Sequence, residues 1–194
     1  PAYWMKADLR VTNREYFQEL LRDERKTVGR LDSRFTGVSE DPLGQTALTD
    51  PQSDAISHPY IAAYKDYLYG DLGADPSMTY VTSTGLREGF AWDWKHEGNM
   101  SWNAQVAVST LPDMTSAMKR NPNLKIMILN GYYDLATVFY GVEHSINHMG
   151  LSPELKQNII MKYYEAGHMM YTHPPSMQQF KEDVDAFILE TSGQ

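Results

Sequence analysis

The chain is 194 residues long, with 42% hydrophobic and 22% charged residues, which suits one globular core or one core carrying an insertion. A net charge of −8 argues against nucleic acid as a partner, because phosphate binding needs concentrated Lys and Arg. The lack of cysteine excludes disulfides, thiolate metal sites and cysteine catalysis together, and no window approaches the about 18 apolar residues of a membrane-spanning helix. Pro1-Ala2-Tyr3-Trp4 has neither the basic start nor the apolar stretch of a signal peptide, so any compartment address is expected upstream or already removed. Aromatics are plentiful, with 13 Tyr and 4 Trp, as in chains that line clefts and equally in well-packed cores.

Thr12-Asn13-Arg14-Glu15 is a capping box. It predicts a helix with Tyr16, Phe17, Leu20 and Leu21 on one face and Gly29 as its stop. The mixed-charge run Arg22-Asp23-Glu24-Arg25-Lys26 reads as its solvated face. Residues 30–54 have little periodicity and contain Gly37, Pro42, Gly44 and Pro51, which predicts a long loop. Pro59 suits a first helical turn, with Ile61, Tyr64, Tyr67 and Leu68 following at helical spacing and Gly70 and Gly73 ending the helix. Its tyrosines read as core packing before sugar binding. Met78-Thr79-Tyr80-Val81-Thr82 has the length of a short strand, and Trp92-Asp93-Trp94 and Trp102 lie in a stretch of uncertain form. Thr110-Leu111-Pro112-Asp113 opens a further helix that carries Met114, Ala117 and Met118 and stops at Asn121-Pro122.

Beyond residue 122 the pattern changes. Leu124-Lys125-Ile126-Met127-Ile128-Leu129 and Asn158-Ile159-Ile160-Met161-Lys162-Tyr163-Tyr164 are short apolar runs of the kind buried in parallel sheets. Between them Phe139, Val142, Ile146 and Met149 recur at helical period up to Gly150, and a last helix starting at Pro174-Pro175-Ser176 buries Phe180, Val184, Phe187 and Ile188. The fold class expected is α/β: a helical segment over 1–122, then a strand-helix-strand-helix unit over 123–194.

Asp134 follows the first strand and His168 the second, and a right-handed crossover leaves both loops on one sheet edge. Acid, then histidine, is the order of the orienter and base of a hydrolase triad. Histidine has the pKa range a general base needs, and Gly167 before it permits a tight turn. No serine sits between glycines in a nucleophile elbow: Ser39 has Gly37 before it but Asp41 after it. No pair of glycine amides offers an oxyanion hole. His144 and His148, with Glu143 beside them, lack an evident third metal ligand, so no metal is assigned; His58 and His173, each before a proline, read as helix-start residues.

The stretches Asn130-Gly131-Tyr132-Tyr133-Asp134-Leu135-Ala136-Thr137 and Tyr164-Glu165-Ala166-Gly167-His168-Met169 resemble the acid-bearing and histidine-bearing loops of bacterial serine carboxypeptidases of the α/β-hydrolase superfamily. Leu20-Leu21-Arg22-Asp23, Val28-Gly29-Arg30-Leu31-Asp32-Ser33-Arg34-Phe35-Thr36-Gly37 and Trp92-Asp93-Trp94 resemble other stretches more weakly. The resemblance implies a partial α/β-hydrolase fold, with residues 1–122 as a cap inserted before the acid-bearing strand. It implies Asp134 as orienter, His168 as base and Met169 as a wall of the pocket for a peptide's C-terminal residue; Met169 and Met170 otherwise read as packing residues. It implies no cofactor and, for the whole enzyme, export to the periplasm or beyond. The family's nucleophilic serine and oxyanion turn have no counterpart here, so the chain is expected to be inactive alone. A non-catalytic binding or assembly module that kept the fold is the alternative. Two parallel strands leave edges and an apolar face open, so association with a missing N-terminal half or with itself is expected.

Overall fold

The computed structural model describes residues 3, 5, 8, 10–83, 89–91 and 109–193. The Trp92-Asp93-Trp94 and Trp102 readings lie outside them.

Helix α1 spans Asn13–Glu19, and its capping box is closed: Glu15 N donates to Thr12 Oγ1 at 3.3 Å, and Thr12 N to Glu15 Oε2 at 2.6 Å. The helix does not run on to Gly29. A 3-10 turn over Arg22–Glu24 ends at Arg25 in the left-handed region (φ 56°), and strand β1, Lys26–Val28, follows. β1 pairs antiparallel with β2, Thr36–Val38, in the register Thr27↔Gly37. Two β-branched residues, Thr27 and Val28, are both buried in β1 and suit a pleated surface better than a helix face. The segment expected as a long loop therefore holds β2 and the start of the next helix.

Helix α2 spans Pro51–Asp66 and passes into a π-helical turn over Tyr67–Asp71. It begins eight residues earlier than Pro59 suggested, because Asp50 caps it: Asp50 Oδ1 accepts from Gln52 N and Ser53 N, each at 3.0 Å. Pro59 lies inside the helix. The tyrosine stripe is not core, since Tyr60, Tyr64 and Tyr67 are exposed, and Tyr64 packs on Tyr80 with ring centroids 4.9 Å apart. Residues 78–82 form no strand.

The remainder follows the expected order: α3 (Leu111–Arg120), β3 (Ile126–Gly131), α4 (Phe139–Asn147), a single turn α5 (Pro153–Lys156), β4 (Ile159–Tyr164), a 3-10 turn (Met170–Thr172) and α6 (Pro174–Ser192). β3 and β4 are parallel, from Ile126↔Ile159 to Gly131↔Tyr164. On one face Met118, Met149 and Leu151 form a buried cluster with Leu111, Met114, Leu124, Ile126, Ile146, Leu155 and Ile159 around it, so α3 and α4 lie there. Phe139 sits edge-on to the stacked rings of Tyr132 and Tyr163 on the same face. The opposite face meets α6, where Asp183 accepts from Lys162 Nζ at 2.7 Å and from the Tyr164 hydroxyl at 2.9 Å. Coverage is partial. Of the β3 and β4 residues only Asn130, Gly131 and Tyr164 are fully buried, whereas parallel sheets ordinarily have both faces covered.

The hydroxyls that tie the helices to β4 set an alkaline limit. Tyr163 is pushed up to about 12, first by its hydrogen bond to Glu143 and then by burial; Tyr164 is raised by burial and then by its bond to Asp183. A tyrosine whose folded pKa is raised contributes stability that is whole below its ordinary value near 10 and is lost as pH rises through the folded value. Urea midpoints are therefore expected to fall between about pH 10 and about pH 12, with a smaller fall in the Tyr163→Phe/Tyr164→Phe variant. Equal falls in both proteins would remove this assignment.

Candidate active site

The carboxyl ends of β3 and β4 each turn at once into a loop, and the two loops lie against each other. Gly131 makes this approach possible: a Cβ there would stand 2.5 Å from the Ala166 carbonyl oxygen and 2.8 Å from the Gly167 carbonyl carbon. Tyr132 N donates to Tyr164 O and Tyr133 N to Ala166 O, both at 3.0 Å, continuing the ladder past the strands. Gly167 serves the same purpose on its other side. Its φ is outside the left-handed region, so a tight turn is not the reason for glycine; its missing Cβ leaves room for Leu31 and Asp32, whose Cα would be 2.7 Å away.

Asp134 is almost fully buried, at 6% side-chain exposure, and both its oxygens are used. Oδ1 accepts from Ala136 N at 2.7 Å and Thr137 N at 2.8 Å, an Asx turn that fixes the carboxylate plane. Oδ2 meets His168 Nδ1 at 2.9 Å. A carboxylate accepting on both oxygens makes Nδ1 the donor, so the lone pair of the neutral ring lies on Nε2. Nε2 has no hydrogen-bond partner among the described residues, and the ring is 44% exposed. His168 N donates to Leu31 O at 2.6 Å, which fixes the backbone beneath the ring. The geometry is that of an imidazole held at Nδ1, with its basic nitrogen unpartnered among the described residues.

Met169 follows His168, half-buried, and its carbonyl accepts from Thr172 N at 3.0 Å and Thr172 Oγ1 at 2.8 Å, starting the 3-10 turn. A cavity of about 370 Å³ opens beside that turn, lined by Asp32, Arg34, Phe35, Thr172 and His173. A wider one, of about 720 Å³, lies between α3 and the end of α4 and includes neither Asp134 nor His168 in its walls. The hydrogen-bonded pair defines the site; the larger hollow lies outside it. His173 Nδ1 meets Ser176 Oγ at 2.8 Å across the first turn of α6, consistent with a helix-start role.

His144 and His148 approach each other, Nδ1 to Nδ1, at 3.3 Å on α4. Glu143 is turned away from them to the Tyr163 hydroxyl. Among the described residues no group of three or more metal-ligating side chains occurs.

The segment Arg30–Arg34, part of the weaker resemblance over 28–37 and given no role there, belongs to the site. Ser33 N donates to Tyr133 O at 2.9 Å and Leu135 N to Arg30 O at 3.0 Å, beside the Leu31 bond to His168. Asp50 Oδ2 in turn accepts from Arg30 N and Leu31 N, tying the segment to the start of α2. One local signal was available: Asp32 and Arg34, two apart, are an Asx-turn pair, and Arg34 N donates to Asp32 Oδ1 at 3.0 Å. Comparison with protein-family models, with curated proteins and with solved structures gave no match.

Proposed function

We propose that this chain is the acid-and-base portion of a serine carboxypeptidase, a partial α/β-hydrolase unit that works when a nucleophile-bearing polypeptide joins it. The observation that carries this reading is the bond from His168 Nδ1 to Asp134 Oδ2, 2.9 Å long, on a ring that is 44% exposed and whose Nε2 has no partner among the described residues. In the proposed reaction Nε2 takes the proton of a serine hydroxyl as its oxygen attacks the scissile carbonyl of a peptide. The same nitrogen returns the proton to the departing amine, and water then releases the acyl group by the reverse sequence. Asp134 keeps the ring in one tautomer and offsets the positive charge that develops on it. Met169, next in the chain, is proposed to line the pocket for the C-terminal residue.

The partial coverage of β3 and β4 supports the need for more polypeptide, since unpaired edges and half-bare faces are what an added strand or helix covers. A second reading, a non-catalytic assembly module, is favoured by one fact: no described hydroxyl is bonded to Nε2. The two separate on a chemical test. Purified chain treated with a fluorophosphonate probe is expected to remain unlabelled, and to support labelling and release of a peptide's C-terminal residue once the serine-bearing half is present. Labelling of the chain alone would contradict the absence of an activated serine. An inactive reconstituted pair would favour the module.

A further inference from the structure

We propose that Arg34 is a positioning residue, closing with Asp32 a latch that holds the acid loop and the histidine loop in one register. The inference rests on the reading of Asp134 and His168 as a working pair, but it concerns their geometry and is measured without turnover.

Arg34 is the one side chain on the Arg30–Arg34 segment whose guanidinium spans both loops among the described residues. Its Nη1 donates to Glu165 O at 2.9 Å, three residues before His168. Its Cζ lies 4.7 Å from the ring centre of Tyr133, immediately before Asp134. The rest of the fork is spent on Asp32, Nε to Oδ1 at 3.0 Å and Nη2 to Oδ2 at 2.7 Å. Asp32 is buried to 2% exposure, so its carboxylate has to stay paired, and the pairing aims the guanidinium at the loops. The Asp32 bond also raises the Arg34 pKa, which keeps the fork charged. A planar fork can satisfy a carboxylate, a carbonyl and an aromatic face together; a lysine ammonium presents a point charge and cannot. The backbone bonds of Ser33, Arg30 and Leu31 to the same two loops need the segment held close, and Arg34 holds it from the side chain.

The test follows the Nδ1 proton of His168 by ¹⁵N-edited NMR in the full chain. It is expected as a single resonance protected from water exchange. Arg34→Gln is expected to speed that exchange by about tenfold or more, the effect of loosening a charge-assisted contact. Arg34→Lys should give a smaller increase. Arg22→Gln is the control, because Arg22 likewise ties loops together, through Pro42 O and Gly44 O, without touching either site loop. It should change the rate by less than about twofold. Unchanged exchange in Arg34→Gln overturns the latch, as does an equal increase in Arg22→Gln, which would mean general loosening. If Arg34→Gln does not fold, Arg34→Lys decides, and a wild-type rate there overturns the proposal. A wild-type chain with no protected Nδ1 proton would remove the Asp134–His168 pair itself and the latch with it, whereas failure of the latch alone leaves the pair standing.

Discussion

Gly167→Ala is expected to destabilise the chain by about 2 to 4 kcal/mol, more than its single added methyl group suggests. The new Cβ would press on backbone as well as side chain: the Leu31 carbonyl oxygen, Asp32 Cβ, and Asp32 Cα at 2.7 Å. None of these can swing aside as the end of a flexible side chain would. Moving Leu31 stretches its 2.6 Å bond from His168 N, and moving Asp32 disturbs the buried carboxylate and the Arg34 fork. The Arg30–Arg34 segment is therefore expected to lift off, with loss of both stability and the His168 position. Gly141→Ala is the natural contrast, since nothing lies within 4 Å of its Cβ position in the first turn of α4. There alanine is expected to stabilise by about 0.5 to 1 kcal/mol through helix propensity. Urea unfolding of both variants measures the difference. Equal midpoints would show that the close backbone stack does not govern stability.

The stack also explains what was readable in the sequence and what was not. Asp134, His168, both strands, the crossover helix and the C-terminal helix follow from apolar runs and punctuation, because each is a local pattern whose period decides its form. The error at Gly29 had a local cause. Charge-rich residues 22–26 fit a helix face, and only the pairing of Lys26–Val28 with Thr36–Val38, a contact formed across the chain, turns them into a hairpin. Pro59 looked like a helix start because proline favours first turns, yet the stronger signal was Asp50, whose carboxylate caps α2 and anchors Arg30 and Leu31 together. Gly167 suits a tight turn by sequence alone, yet it is there for space. A space requirement cannot be seen without the neighbour that fills it. Leu31 and Asp32 come from a distant part of the chain and carry no motif pointing to residue 168, which is why the latch stayed hidden while the pair it holds did not.

If the proposed carboxypeptidase reading holds, Asp134→Asn is expected to lower turnover of the assembled enzyme by about four orders of magnitude while leaving the fold nearly intact, as loss of the acid does in Ser-His-Asp triads. The argument is about which atom faces which. Oδ1 accepts two backbone N–H groups, from Ala136 and Thr137, so the amide that replaces the carboxylate must keep its oxygen there. Turning the NH₂ group toward those donors would leave three polar groups unpaired in a nearly buried site. The NH₂ group then faces His168 Nδ1, where Oδ2 accepted at 2.9 Å. A donor at that position forces Nδ1 to accept and puts the ring proton on Nε2, the nitrogen proposed to take a proton from the nucleophile. The variant thus holds the imidazole in place but in the wrong tautomer, so kcat falls while KM changes little. The ¹⁵N shifts of His168 report the same switch in the chain alone, with Nε2 becoming the protonated nitrogen. An Asp134→Asn protein that keeps the proton on Nδ1, or an assembled enzyme that turns over at the wild-type rate, would remove Asp134 from the role given to it.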